Sequence, residues 1–425
     1  MKNFLSAAKG RQGAGAGSLY IAFSFAVSGA LTFGFQSLAA HALGKAGYAP
    51  LALLWSSTFL VVQVLWIGAT QTLGRYIAER EAKGQDWRPV IRSVKRWQIG
   101  LSGAFVLVAL PISPWLTGLF GDPWLTVVFV VSMVAYAPEY FRRGIFNGHH
   151  QSSRLGAQIL AESAGRLLIA AALLAAGMGV LGPAIAILLA PIIGVLAVRP
   201  APAEPPEHEG EPFSAMNALK FAGPVLTCVA FAQVLMNGGP ILVSVLGGTP
   251  AQVGLFGAAM ILTRIPQYII SPAIGALLPH ASRILSTGGY GPFGRFVGRA
   301  VGVVGLVGVL MVGATWLLGE WGIKLFAGSE FDASREMLVT LAAVAAFYLL
   351  CDMLNQALFA LGHARLASLG WLVGLVVSAL CLAILDTDVL SRVSYSLAIG
   401  TLAAAMAQAA FYLMARRSAT VSRSG

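Results

Sequence analysis

The chain has 425 residues, of which 57% are hydrophobic and only 11% charged, with a mean hydropathy of +0.78. Soluble domains are about 45–50% apolar and about 25% charged, so this composition excludes an ordinary soluble protein and predicts an integral membrane protein. The net charge of +11 would suggest nucleic acid in a soluble protein. In a membrane protein it predicts basic residues that anchor cytoplasmic loops, and no nucleic-acid partner is expected.

Twelve apolar runs predict transmembrane helices, since a spanning helix needs about 20 mostly apolar residues. The first is preceded by a basic segment that resembles a signal peptide, but it is longer than the roughly 7–15 residue core of such a signal, so we expect it to remain as a helix. The runs cover about 17–43, 48–74, 97–120, 124–146, 155–177, 179–198, 217–246, 251–278, 296–320, 335–361, 366–386 and 392–415.

A polar break at residues 199–213 divides these runs six and six. It contains five prolines and four glutamates, and proline density with like charge disfavours a packed element. The sequence therefore predicts a solvated linker between an N-terminal lobe, residues 1–198, and a C-terminal lobe, residues 214–425. The fourth run ends in Gly148-His149 and the tenth in Gly362-His363, which indicates a duplication. We predict an all-α protein with two parallel six-helix lobes around a central cavity.

The distribution of basic residues predicts the orientation. If the N-terminus is cytoplasmic and the helices alternate, 22 of the 28 Lys and Arg fall in cytoplasmic segments and 4 in outer loops. This positive-inside bias predicts a cytoplasmic (inner) membrane protein with both termini and the linker in the cytoplasm. The longest outer loop, about 320–336, is too short for an external catalytic domain.

Four ionisable residues lie deep in the predicted spans, where a charge costs at least about 2.5–3.5 kcal/mol and should face a cavity or a partner. Glu162 and Arg166 are four residues apart on one helix face; they form either a self-neutralising pair or part of a cavity that engages anionic oxygen. Arg264 precedes Pro266, which predicts a kink, and its guanidinium suits phosphate. The alternative is an ion pair with Asp352, and a pair that can be exchanged would also serve as a gate.

Amide side chains extend the predicted polar lining. Gln233 and Asn237 are four residues apart before the helix-breaking Gly238-Gly239-Pro240, and Gln63 and Asn355 lie in other spans. They are candidates for cavity lining or ion coupling, although hydrogen bonds between helices are the ordinary role of such groups.

The sequence contains no P-loop, no HExxH motif and no metal-ligand spacing among its three cysteines, so we expect no enzyme, no cofactor and no metal site.

The chain resembles the MATE-like multidrug/oligosaccharidyl-lipid/polysaccharide exporter superfamily, and within it the polysaccharide (O-antigen type) flippases. The resemblance spans nearly the whole chain as a pattern. It rests on the segments 43–48, 74–78, 143–148 with Glu162 and Arg166, 254–259, 264–266 and 278–283. Many relatives have an acidic residue where this chain has Asn237.

The resemblance implies alternating access around a central cavity and outward movement of polyprenyl-pyrophosphate-linked oligosaccharide. The implied partners are the lipid-linked anionic glycan, the bilayer and a coupling ion, H+ or Na+. By resemblance, Arg264 and Arg166 would bind the pyrophosphate or an acidic glycan; Glu162 and Asp352 are the other candidate substrate-binding residues. The alternatives are a drug/cation antiporter of the same fold and a non-transport membrane scaffold of a glycan-synthesis complex.

Overall fold

The computed structural model describes residues 2–203, 205–209, 213, 215–275 and 277–421. Within these residues every named element is an α-helix. The first half contains α1 (Lys2–Gly47), α2 (Ala49–Ala82), α3 (Arg88–Phe120), α4 (Pro123–Gly148), α5 (Ser152–Ala175) and α6 (Leu181–Ala197). The second contains α7 (Ala215–Asn237), α8 (Gly239–Val245), α9 (Pro250–Thr263), α10 (Ile265–Gly275), α11 (Leu277–Gly288), α12 (Tyr290–Ala327), α13 (Arg335–Ala360), α14 (Ala364–Ile384) and α15 (Val389–Val421).

The predicted spans correspond to these helices. Among the described residues, nine helices are long and apolar enough to cross a membrane, and two bent helix pairs bring the number to eleven. The seventeen-residue α6 is a shorter apolar helix in the place of the sixth predicted span. The all-α membrane fold is therefore confirmed, and twelve remains an approximate count.

Both helix breaks expected from glycine and proline are present. α7 and α8 bend by 60° at Gly238, and α9 and α10 bend by 42° at Arg264. Pro240 and Pro266 each lie in the first turn of the helix that follows the break, where the missing N–H of proline leaves no intrahelical bond unmade. The kink predicted from Pro266 is thus confirmed, with its break two residues earlier.

The chain forms two compact units: Met1–Phe35 with Val64–Ala222, and Gln36–Gln63 with Gly223–Gly425. The second unit therefore includes the end of α1 and the start of α2, which the sequence assigns to the first lobe. Inside that unit Ser37 Oγ donates to Phe326 O at 2.6 Å, and Tyr48 Oη donates to Gln36 Oε1 at 2.6 Å. The first of these bonds joins α1 to the end of α12, and the second joins the residue between α1 and α2 back to α1.

The end of α1 also packs closely against Gly254 on α9, and this close approach gives a prediction. A Cβ there would lie 2.0 Å from the backbone oxygen of Lys45, so the two chain segments would have to separate. We expect Gly254→Ala to lower the free energy of unfolding by about 1–3 kcal/mol, the usual cost of overpacking. Thermal unfolding of the purified protein in detergent measures it. Gly298→Ala is the matched control, because a Cβ at Gly298 meets nothing within 4 Å; an equal effect at both sites would contradict the packing argument.

The predicted linker has no helix in its described part, as expected from its prolines, but it is not wholly solvated. Glu207 N and His208 N donate to Gly84 O at 3.0 and 3.3 Å, and Asp86 N donates to His208 O at 3.2 Å. The ring of Phe213 packs edge-on against Tyr76 at 5.3 Å. The linker is thus bound to the turn between α2 and α3; its residues 204 and 210–212 lie outside the described residues.

The end of α6 is also held by a side chain of the first unit. Arg142 on α4 donates through Nη1 to Val198 O at 2.6 Å and to Val195 O. The last carbonyls of a helix have no intrahelical donor, and a guanidinium there also interacts favourably with the negative end of the helix dipole. Arg142 therefore caps α6.

Candidate functional site

The first candidate site lies where α4 and α5 face each other in the first unit. α4 contributes Glu139 and Arg143, and α5 contributes Glu162 and Arg166. Each pair is spaced by four residues, so both of its members lie on one face of their helix. We call these four residues the charge cluster.

The charge cluster is one connected network. Arg143 Nη2 lies 2.5 Å from Glu139 Oε1 and 2.5 Å from Glu162 Oε2, so a single nitrogen joins the two carboxylates. Arg166 Nη2 donates to the other oxygen of Glu162. Tyr136 Oη donates to Glu162 Oε1 at 3.5 Å and accepts from Arg166 Nη2 at 3.4 Å. Glu162 is therefore a carboxylate that both arginines share.

The cluster is buried nearly completely. Glu139 has no exposed surface, and Glu162 and Arg166 are 4% and 3% exposed. The Arg143 side chain is 19% exposed and its guanidinium lies 4.8 Å from the centre of the Tyr140 ring. Removing charges from water costs several kcal/mol for each ion, so two acids and two bases balance one another here. The contact between Glu162 and Arg166 follows from the sequence spacing, while its role in binding stays a prediction.

Sequence reasoning misses Glu139 and the part played by Arg143. Glu139 stands near the end of the fourth predicted span, next to two arginines, where it resembles part of a basic helix end. The signal that could have found it is the repeated spacing: Glu139 and Arg143 have the same order and separation as Glu162 and Arg166.

The second candidate site lies in the second unit, where the two helix breaks meet. Asn237 is the last residue of α7, and Arg264 separates α9 from α10. Arg264 Nη1 donates to Asn237 Oδ1 at 3.3 Å, and Asn237 Nδ2 donates to Gln233 Oε1 at 2.5 Å. Arg264 and Asn237 are 7% and 9% exposed. The structure thus places three of the sequence-predicted residues in one chain of hydrogen bonds.

Asp352 and Asn355 lie on α13 in the same unit. The hydroxyl of Ser271 on α10 and the side chain of Gln356 lie beside the Asp352 carboxylate. Asn355 accepts a weak hydrogen bond from the Cys228 thiol at 3.7 Å. The ion pair between Arg264 and Asp352, which the sequence offers as an alternative, stays a prediction.

Gln63 is half-buried on α2 and is the last residue of the segment Gln36–Gln63, which belongs to the second unit. Among the described residues there is no group of three or more His, Cys, Asp or Glu that could hold a metal ion. The candidate residues joined by hydrogen bonds or ion pairs fall into two groups. One is the charge cluster of the first unit, and the other consists of Arg264, Asn237 and Gln233 in the second unit.

Comparison with known sequences gives one family and several distant relatives. A family model described as "Polysaccharide biosynthesis protein" matches residues 14–285. An uncharacterized protein of Mycobacterium tuberculosis is 24% identical over 386 residues, which cover 86% of this chain and 84% of the relative. A second uncharacterized protein of that organism is 25% identical over 300 residues, 66% of this chain and 65% of the relative.

Comparison with solved structures gives one fold. An inward-facing multidrug resistance MATE family transporter of the MOP superfamily has a TM-score of 0.74, with 15% identity, over 93% of this chain and 95% of that one. A MOP superfamily transporter from Pyrococcus furiosus, whose binding pocket has reverse polarity, has a TM-score of 0.71, with 14% identity, over 95% of this chain and 96% of that one.

Proposed function

Because the chain belongs to the family of polysaccharide biosynthesis proteins, we propose that it moves polyprenyl-pyrophosphate-linked oligosaccharide across the cytoplasmic membrane by alternating access. The family and the fold are those of MOP superfamily transporters rather than of enzymes, as the resemblance predicted. The chain is a multi-pass membrane protein. In this proposal the two lobes that alternate are residues 1–198 and 214–425. The experiment below tests the identity of the cargo.

One observation carries the cargo assignment: arginine side chains are buried within apolar spans of both units. Arg166 and Arg264 are 3% and 7% exposed, and arginine stays charged at any physiological pH. Arg264 Nη1 donates to the neutral amide oxygen of Asn237 at 3.3 Å. A guanidinium presents paired N–H groups that match a phosphate oxygen pair, so buried arginines suit a diphosphate better than they suit a cation.

Contacts between the linker and neighbouring loops support a cytoplasmic position for the linker. The linker is hydrogen-bonded to the turn between α2 and α3, and His149, after α4, pairs with Glu81 at the end of α2 at 2.9 Å. These segments therefore lie on one side of the membrane, together with the most basic stretch of the chain, Arg75–Arg96. By the positive-inside rule that side is cytoplasmic, and we place both termini there as well.

A drug/cation antiporter is the second candidate, and the likeness to a multidrug resistance transporter is the observation in its favour. A cation would need a buried carboxylate as its partner. Glu139 and Glu162 are buried, but both are bound by arginine, which weighs against them as cation sites. Asp352 would then be the residue to carry the cation.

The experiment is a comparison of cells with and without the gene. We expect cells without it to accumulate a polyprenyl-pyrophosphate glycan on the cytoplasmic leaflet, measured by mass spectrometry of lipids and by an inside–outside accessibility assay. An unchanged lipid pool with altered sensitivity to drugs or cations would replace the flippase by the antiporter. If neither changes, and the reconstituted protein moves no lipid-linked oligosaccharide, the proposal is wrong and a scaffold role takes its place.

A further inference from the structure

Glu139 is bound through only one of its two carboxylate oxygens in the described part of the chain. Its Oε2 is buried and has no hydrogen-bond partner among the described residues, whereas its Oε1 is bound by Arg143. Gln158 Oε1 is a second buried acceptor with no partner in the described part of the chain, and its amide nitrogen donates to Glu139 O at 3.4 Å. Unpaired buried acceptors cost free energy, so this corner of the cluster lacks a donor.

The two glutamates are also neighbours. Glu139 Oε1 and Glu162 Oε2 each lie 2.5 Å from the same atom, Arg143 Nη2, and are therefore no more than about 5 Å apart. Two carboxylates at this separation oppose each other's ionisation, and nearby arginines oppose their protonation. The balance between them depends on whether Arg143 is engaged by the carboxylates or by another anion.

The two glutamates would not respond equally to an incoming anion. In the described part of the chain, Glu139 forms an ion pair with Arg143 alone, whereas Glu162 is bound by Arg143 and by Arg166. An anion that takes over Arg143 leaves Glu162 with Arg166 and removes the ion-pair partner of Glu139. An uncompensated buried carboxylate is strongly unfavourable, and one proton removes its charge.

We propose that Glu139 takes up one proton when a phosphate or diphosphate group binds Arg143, and releases it when the anion leaves. An O–H bond forms at Glu139 Oε2 with a proton from a solvent hydronium ion, which becomes water, and on release the proton returns to a water molecule. The new hydroxyl is the donor that the adjacent acceptors lack. Binding then adds the negative charge of the ligand and one positive charge from the proton. The protein therefore carries a proton together with its anionic cargo.

Among the groups that surround Glu139, Arg143 and Glu162 have the largest influence on the protonation of its carboxylate. α5 contributes Glu162 and Arg166, and α4 itself contributes Arg143 and the phenols Tyr136 and Tyr140. α3 faces this stretch with an amide, since Gln98 Nε2 donates to Ala137 O at 3.1 Å. α2 faces it with a hydroxyl, since Thr70 donates to Tyr140 O at 2.7 Å. The sequence of α6 contains no charged residue.

The inference rests on the proposed function for the nature of the anion, and inorganic pyrophosphate is the probe that tests it. The full chain in lipid nanodiscs is titrated with pyrophosphate by calorimetry in two buffers of different ionisation enthalpy, which gives the number of protons taken up. Beyond the protons that pyrophosphate itself gains or loses, we expect an uptake of about one proton and an affinity that falls about tenfold for each pH unit as the pH rises, because proton uptake and binding are linked.

Glu139→Gln is the test variant, and Glu336→Gln, at the exposed start of α13, is the matched control. We expect Glu139→Gln to bind pyrophosphate with no proton uptake and with an affinity independent of pH, and the control to behave as the wild type. Infrared spectra of the wild type should gain a protonated-carboxyl band on addition of pyrophosphate, a readout that needs no variant.

Three results would overturn the inference: binding without proton uptake, uptake that persists in Glu139→Gln, or no binding of pyrophosphate at any pH. None of them decides whether the protein moves lipid-linked oligosaccharide, because the accumulation of that lipid in cells without the gene is measured separately. A flippase with no uptake at Glu139 would retain the proposed function and lose this coupling.

Discussion

Arg143→Met should lower the free energy of unfolding by about 3–5 kcal/mol, the usual cost of leaving a buried charge without its partner. Arg143 is in contact with both glutamates of the charge cluster. Without it Glu139 loses its ion-pair partner, and Glu162 keeps its bond to Arg166. The measurement is equilibrium unfolding of the purified protein in mixed detergent micelles, followed by tryptophan fluorescence.

A double variant separates the charge effect from the loss of side-chain packing. In Arg143→Met with Glu139→Gln, one base and one acid are removed together, so the remaining cluster is again neutral. We expect the double variant to recover at least half of the stability lost in Arg143→Met, because residues of one ion-pair network do not contribute additively. Equal losses in the single and the double variant would mean that the cluster is held by packing and not by charge.

Arg264→Ala should reduce the transport of lipid-linked oligosaccharide in proteoliposomes by about 10- to 100-fold at equal protein amount. A hydrogen bond to a charged group contributes about 1.5–3 kcal/mol, and about 1.4 kcal/mol corresponds to a factor of ten. Arg264→Lys keeps the charge but not the paired N–H groups, so its rate should lie between those of the wild type and of Arg264→Ala.

The control for Arg264 is Arg335→Ala. Arg335 is half-exposed at the start of α13 and pairs with Glu320 at 3.2 Å; an exposed pair of this kind contributes about 0–1 kcal/mol. Its replacement should leave transport unchanged. Wild-type transport by Arg264→Ala would remove Arg264 from the binding site and would agree with a scaffold role.

The fold could be predicted from the sequence to a large extent, because a bilayer allows few spanning structures and long apolar runs therefore indicate helices. The bends at Gly238 and near Pro266 could also be predicted, since glycine and proline act on the local backbone.

The docking of the linker against the turn between α2 and α3 could not be predicted from the sequence. It depends on Gly84, whose φ of 66° shapes the turn that receives Glu207 and His208, and proline density carries no information on such a partner.

The candidate sites could be predicted in part. Spacing along one helix is visible in a sequence, so Glu162 with Arg166 and Gln233 with Asn237 could be paired in advance. Contacts between helices depend on the rotation of each helix about its axis, which a mostly apolar sequence does not define. For this reason the bond from Arg264 to Asn237, and the approach of Arg143 to Glu162, required the structure.

The shortness of α6 has a consequence for the membrane itself. At about 1.5 Å per residue, its seventeen residues span about 25 Å, whereas the hydrocarbon layer is about 30 Å thick. We expect hydrophobic mismatch of this size to thin the adjacent lipid layer, at a cost of a fraction of a kcal/mol per Å. The positively charged side chain of Arg142, which binds the last carbonyls of α6, lies at the C-terminal end of this short helix. We therefore expect lipid headgroups beside α6 to lie deeper than elsewhere, and for the proposed cargo this would shorten the path of a polar headgroup across the membrane.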